Sequence, residues 1–231
     1  MISSILSGNF DIYSFLLRIP VVLLALSIHE YAHGYAAYKM GDSTAKCFGR
    51  LTLNPVKHLD IIGTISMFLF GFGWAKPVPV NARNFDNPRK GMAITALAGP
   101  VSNVLLSFLG LILYNTTYLI VLKTGIFATE SDFVFNLFTV LLTFFSMFHF
   151  LNLSLAIFNL IPLPPLDGSR IAFVLLPDRL YFNIMKHEQI IQIILLVSLC
   201  MGILDMPLTF LITHMSNGMQ KIIDLVIGLF I

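Results

Sequence analysis

Residues Ile19–Met40 read IPVVLLALSIHEYAHGYAAYKM, an apolar run that ends in a glutamate set between two histidines. A charged side chain at the centre of a bilayer costs on the order of 3 kcal/mol, so ionisable groups there mark a function more often than a packing solution. Three in one helical turn are poorly explained as packing in a chain with only 12 acidic residues and 6 histidines. On a helix of about 3.6 residues per turn His29 and His33 share a face, with Glu30 beside them, so all three can address one point. This is the HExxH pattern, in which two neutral imidazoles bind zinc and the intervening glutamate serves as base for its water. The competing reading is a chance pattern or a pair of histidines satisfied inside a bundle.

The rest of the chain makes the membrane the right setting. Of 231 residues 57% are hydrophobic and 11% charged, more apolar material than a soluble core of this size buries. A helix crosses a bilayer in roughly 20 apolar residues, and four segments meet that need: 11–40, 91–122, 133–161 and 189–214. Two shorter apolar stretches, Ile61 to Trp74 and Met219 to Ile231, suit a re-entrant hairpin, a half-helix or a span packed inside the bundle. The expected fold is an all-α integral membrane protein, a bundle of about four to six transmembrane helices with a re-entrant loop or hairpin. Residues 1–231 read as one polytopic membrane domain, without repeats or low-complexity tracts. The first residues lack the basic flank of a signal peptide and read as retained.

A net charge of +2, with Lys and Arg spread along the chain, gives no footprint for nucleic acid. Cys47 and Cys200 form neither a disulfide framework nor a CxxC site. The polar parts between Lys39 and Lys90 carry Lys39, Lys46, Arg50, Lys57, Lys76, Arg83, Arg89 and Lys90, which by the positive-inside rule makes that connection cytoplasmic. The expected location is the cell membrane, multi-pass. The first span then descends toward the cytoplasm and carries His29–His33 in its lower half; the segment beginning at Phe133 descends too, ending at IPLPPLDG.

A catalytic zinc takes a third protein ligand and leaves a position for water. The residues after His33 do not continue as HExxHxxGxxH, and Glu130 and Glu188 stand in polar connections without a motif. Asp167 lies where FNLIPLPPLDGSR breaks a membrane helix. Alone it would read as the cap of a following helix, but its depth matches that of the histidines, which favours a ligand.

The ordered blocks HEYAH, GRLTLNPVKHLDIIGT (Gly49–Thr64), GFGWAKPVPVN (Gly71–Asn81), AGPVSN (Ala98–Asn103) and NLIPLPPLDG (Asn159–Gly168) resemble the site-2 protease family of intramembrane zinc metalloproteases. The resemblance spans most of the chain and looks like a compact member without PDZ or CBS domains. It implies one catalytic Zn²⁺ held by His29, His33 and Asp167, with Glu30 activating water. The implied reaction is hydrolysis of peptide bonds in or near the membrane spans of other proteins, at a site toward the cytoplasm. It associates Asn159 with the substrate, where an amide could position the scissile carbonyl or its oxyanion; interhelical hydrogen bonding is the alternative, and for Asn103 the preferred one. The alternatives for the whole chain are a membrane metal transporter, against which stands the lack of an inverted repeat, and an inactive homologue that binds membrane partners. His149 reads as a packing or polar-network residue. Pro77 and Pro79 keep GWAKPVPVNARNF out of any helix, leaving a turn over the site or an extended edge for a peptide to pair with.

Overall fold

In the computed structural model, residues 11–63, 66, 75–125, 132–172, 174 and 176–228 are described. Helix α1 runs over Ile12–Lys39, capped by the Asp11 carboxylate on the Tyr13 amide. A short helix α2, Thr44–Cys47, follows. Two 3₁₀ turns, Pro55–Lys57 and Ala82–Asn84, then lead to α3, Pro88–Thr124, which starts where Asn87 caps the Lys90 amide. Helix α4 covers Asp132–Asn159, α5 Asp167–Ala172, α6 Asp178–Met185, α7 Glu188–Cys200 and α8 Asp205–Gly228.

Three of these, α1, α3 and α4, are long and apolar enough to cross a membrane. The expected fourth span, 189–214, is instead divided into α7 and α8, which meet at an 80° bend and make a fourth crossing only as a pair. The reason is local. Ile203 donates to Ser198 O and Gly202 to Leu199 O, closing the end of α7, and Pro207 in the first turn of α8 has no amide with which to continue the earlier helix. Met219, expected in a separate short segment, lies within α8. Most of the expected re-entrant stretch Ile61–Trp74 lies outside the described residues, as do residues 1–10.

Helix α3 is the centre of the bundle, packing against α1, α4, α5 and α8. Its buried face carries Gly91, Thr95, Gly99, Asn103 and Ser107, four residues apart, with Ala96, Pro100 and Gly110 beside them. Lipid gives helices no hydrophobic drive to associate, so close contact over small side chains and interhelical hydrogen bonds do that work. The buried His149 ring fits this pattern. Its Nδ1 lies 3.0 Å from Ser107 O and 2.8 Å from Ser107 Oγ, and its Nε2 is 2.9 Å from Ser216 Oγ, joining α3, α4 and α8. Leu105, Leu109, Ile193, Ile194 and Phe210 point outward, as a lipid-facing surface requires.

The polar connection between α1 and α3 folds back on the bundle. Ala75 bridges Leu59, and residues Lys76–Val80 form a strap without regular secondary structure. Asp42, fully buried, anchors its far end, accepting from the amides of Asn81 (2.7 Å) and Thr44 (3.0 Å) and from the Asn84 side chain (2.7 Å). Burial pushes the Asp42 carboxyl up, but the hydrogen bonds from Thr44, Asn81 and Asn84 outweigh it and hold the group below the ordinary carboxylate range. A lowered folded-state value means stabilisation that is complete above the unfolded value, near pH 4, and fades as pH falls through the folded one. In detergent at pH 6, an Asp42→Ala protein should therefore melt roughly 5 °C below the wild type. That gap should close on acidification below about pH 4. A gap that is the same at pH 3 and pH 6 would show that the ionised carboxylate is not what holds the strap.

Candidate active site

Helix α1 presents His29, Glu30 and His33 with 6%, 9% and 9% of their surface exposed. Asp167 comes to them from the first turn of α5, which packs on α3. Asp167 Oδ2 lies 3.2 Å from His29 Nε2 and 3.2 Å from His33 Nε2, and the two Nε2 atoms are 2.9 Å apart. Ligand atoms around a tetrahedral zinc with bonds near 2.05 Å stand roughly 3.3 Å apart, so this triangle has the right size.

The outer contacts decide what the three atoms are. His29 Nδ1 is 2.5 Å from Asn103 Oδ1, and His33 Nδ1 is 2.7 Å from Thr95 O. Both partners are oxygens that accept, so each ring donates from Nδ1 and turns a lone pair inward from Nε2. Two lone pairs and a carboxylate oxygen then meet with no donor among them, and the buried Asp167 Oδ2 makes no hydrogen bond. A metal cation bound among them would satisfy that arrangement, and a set of two imidazoles and one carboxylate suits zinc. Among the described residues this is the only group of three or more His, Cys, Asp or Glu side chains placed to hold a metal.

Glu30, next to His29 on the same helix, contacts the strap. Its Oε2 accepts from the Val78 amide at 2.9 Å, which ties the carboxylate to the strap. Asn103 is fully buried with both polar atoms engaged, donating from Nδ2 to Asn152 Oδ1 at 2.8 Å and to Ala25 O at 3.4 Å. It makes the interhelical bonds expected of it and stands behind His29 rather than in front of it. Asn159 donates to Leu155 O in its own helix at 3.0 Å.

Two contributors escaped the sequence. Asn152 donates to Phe148 O at 2.8 Å and links the Asn103 chain to α4; its signal was a lone amide in the apolar stretch FLNLSL. Gly99 is the other. A β-carbon there would fall 2.4 Å from His33 Nε2 and 2.6 Å from His29 Cε1, so α3 crosses the imidazoles closely because it has none.

Two measurements of zinc content test this construction. A Gly99→Ala chain should fold but lose its zinc, since the new methyl displaces both rings. Asn103→Leu should keep the helix packing and weaken zinc by about 10- to 100-fold against a competing chelator. Wild-type affinity in Asn103→Leu would mean that His29 needs no partner at Nδ1.

Residues 18–204 match the family described as Peptidase family M50. The chain is 46% identical over 176 residues to Putative zinc metalloprotease YwhC of Bacillus subtilis (strain 168), covering 76% of each protein. It is 30% identical over 165 residues to Putative zinc metalloprotease MJ0611 of Methanocaldococcus jannaschii, 71% of this chain and 72% of that one. With Putative zinc metalloprotease Rip2 of Mycolicibacterium smegmatis it shares 28% identity over 159 residues, 67% of this chain and 55% of the relative. No solved structure matches the chain. HEYAH and NLIPLPPLDG both lie within the matched residues, and the chain belongs to peptidase family M50, the site-2 type of intramembrane zinc metalloprotease.

Proposed function

We propose that this protein cleaves peptide bonds in or beside the membrane-spanning segments of other proteins, at a site that opens toward the cytoplasm. The reading rests most on the convergence of three lone-pair donors at His29, His33 and Asp167, with Glu30 on the same helical turn. In it these three residues hold the metal and Glu30 is the base. Zinc, when bound there, supplies a Lewis acid for the scissile carbonyl and brings the pKa of a water toward neutrality.

The chain does the rest. Asn103 and the Thr95 carbonyl fix the two rings in the tautomer that ligates. Glu30 has one oxygen on Val78, and the other, Oε1, takes the proton of the attacking water and passes it to the amine nitrogen as the C–N bond breaks. Asn159, at the end of α4, is the residue assigned to the substrate backbone; it would exchange its bond to Leu155 O for that contact. A substrate helix has every backbone group paired within itself, so it must unwind locally before its carbonyl reaches the site. A metal-transport reading gains nothing from the structure, since no second metal-ligating group lies among the described residues.

The cytoplasmic placement is supported by the basic connection between α1 and α3, which emerges at the ends of the helices that carry His29, Glu30, His33 and Thr95. Cys47, exposed in α2, reports on it. In a Cys200→Ser background, a membrane-impermeant maleimide should label Cys47 in inverted vesicles and leave it unlabelled in intact cells; the reverse pattern would place the site on the other side. For the reaction, Glu30→Gln should keep its zinc and lose at least about 100-fold in turnover. Membranes from Glu30→Gln cells should then accumulate single-span proteins that wild-type cells clear. A Glu30→Gln protein with full activity would rule out the mechanism.

A further inference from the structure

We infer that the Pro77–Val78 peptide unit is a bridge between Arg50 and Glu30, through which Arg50 positions the catalytic carboxylate. The inference rests on Glu30 being the base. Its observations are independent of the metal ligands. The Val78 amide donates to Glu30 Oε2 at 2.9 Å. The carbonyl of the same peptide unit, Pro77 O, accepts from an Arg50 guanidinium nitrogen at 3.1 Å, and the same nitrogen donates to Lys76 O at 2.6 Å. The other terminal nitrogen of Arg50 donates to Lys57 O. A cation on the oxygen and an anion on the N–H polarise one amide in the same sense, so each hydrogen bond strengthens the other.

From Lys76 to Pro79 the local sequence leaves Glu30 no other backbone donor. Pro77 and Pro79 have no amides, and the Lys76 amide is committed to His58 O at 2.8 Å. Val78 is therefore the donor that the strap can offer at this position. Its depth is fixed from both sides. The Val78 side chain is buried, and a β-carbon on Gly34, one turn past Glu30, would come within 3.3 Å of Val78 Cγ1. Arg50 is itself 9% exposed although it has no carboxylate partner among the described residues, only the three carbonyls of the loops it gathers. Burying a guanidinium for backbone carbonyls alone is costly. It is understandable where the geometry of one peptide unit matters.

Arg50 and Val78 are positioning residues on this account, so their loss should lower kcat while leaving zinc and KM in place. Two readouts test it. The first needs no substrate: hydrogen–deuterium exchange of the Val78 amide should be at least about tenfold slower in the wild type and in Glu30→Gln, whose amide oxygen still accepts, than in Glu30→Ala. Arg50→Gln, which cannot span the same carbonyls, should also speed that exchange.

The second uses a single-span protein that accumulates in Glu30→Gln membranes. Val78→Pro, which removes the amide from a stretch already flanked by prolines, should fall about 10- to 100-fold below Val78→Ala in kcat. The two variants should have zinc contents and KM values within about twofold of each other. Equal exchange in wild type and Glu30→Ala, or equal kcat in Val78→Pro and Val78→Ala, would overturn the bridge. Exchange and kcat unchanged in Arg50→Gln would remove Arg50 from it. An active Glu30→Gln protein would overturn the base assignment itself, a failure the exchange measurements tell apart from loss of the contact.

Discussion

Two imidazole nitrogens and a carboxylate oxygen, each within 3.2 Å of the others, form a buried triangle of the size that a bound metal cation would fill. Most of the architecture serves that triangle. The rings must present Nε2 rather than Nδ1, so acceptors must wait behind them, and both acceptors belong to α3: the Thr95 carbonyl and the Asn103 side chain. Helix α3 reaches them only because its facing stripe is small, with Gly99 where the backbone passes the imidazoles. Asp167 must arrive from a separate element, and the broken end of α4 followed by α5 delivers it.

Behind this layer the polar groups continue through the bundle in pairs. Asn103 leads to Asn152 and Ser107 to His149 and Ser216, while Asn115 and Gln220 exchange hydrogen bonds at 3.0 Å and 2.9 Å. Each pair is worth on the order of 1 kcal/mol in a membrane, so none is a large term for stability. Their value lies in register. A slide of α4 or α8 along α3 would unpair several amides at once in a medium with no water to replace them, and the first casualty of a slide at Asn103 would be the orientation of His29.

The first three spans and the grouping of His29, His33 and Asp167 are legible because their signals are local or scarce. HEYAH is a single helical turn, and Asp167 stood out by depth and by the prolines before it. The bend between α7 and α8 was written in Gly202 and Pro207, yet mean apolarity over the window masked it. Asn152 was passed over because its partner lies 49 positions away. The contacts of Thr95 and Val78 had no side-chain signature at all, since the groups that matter are a backbone carbonyl and a backbone amide. A sequence shows which side chains are present; it does not show which peptide units a folded loop brings against them.

The strap also bears on how a substrate is held. A non-helical segment beside a protease site invites the idea that a peptide pairs with its edge, and the prolines of the Ala75–Asn81 stretch allow that reading. The hydrogen bonds argue otherwise for its middle. Lys76 and Val78 spend their amides on His58 and Glu30, Pro77 and Pro79 have none, and Arg50 occupies the carbonyls of Lys76 and Pro77. From Lys76 to Val78 the donors are spent and two of the carbonyls are already engaged, so this part of the edge has no ladder to offer a substrate strand. Its backbone is turned inward, toward Glu30. On the proposed reading it contributes the placement of one carboxylate, and the backbone of an unwound substrate finds its partners elsewhere around the site.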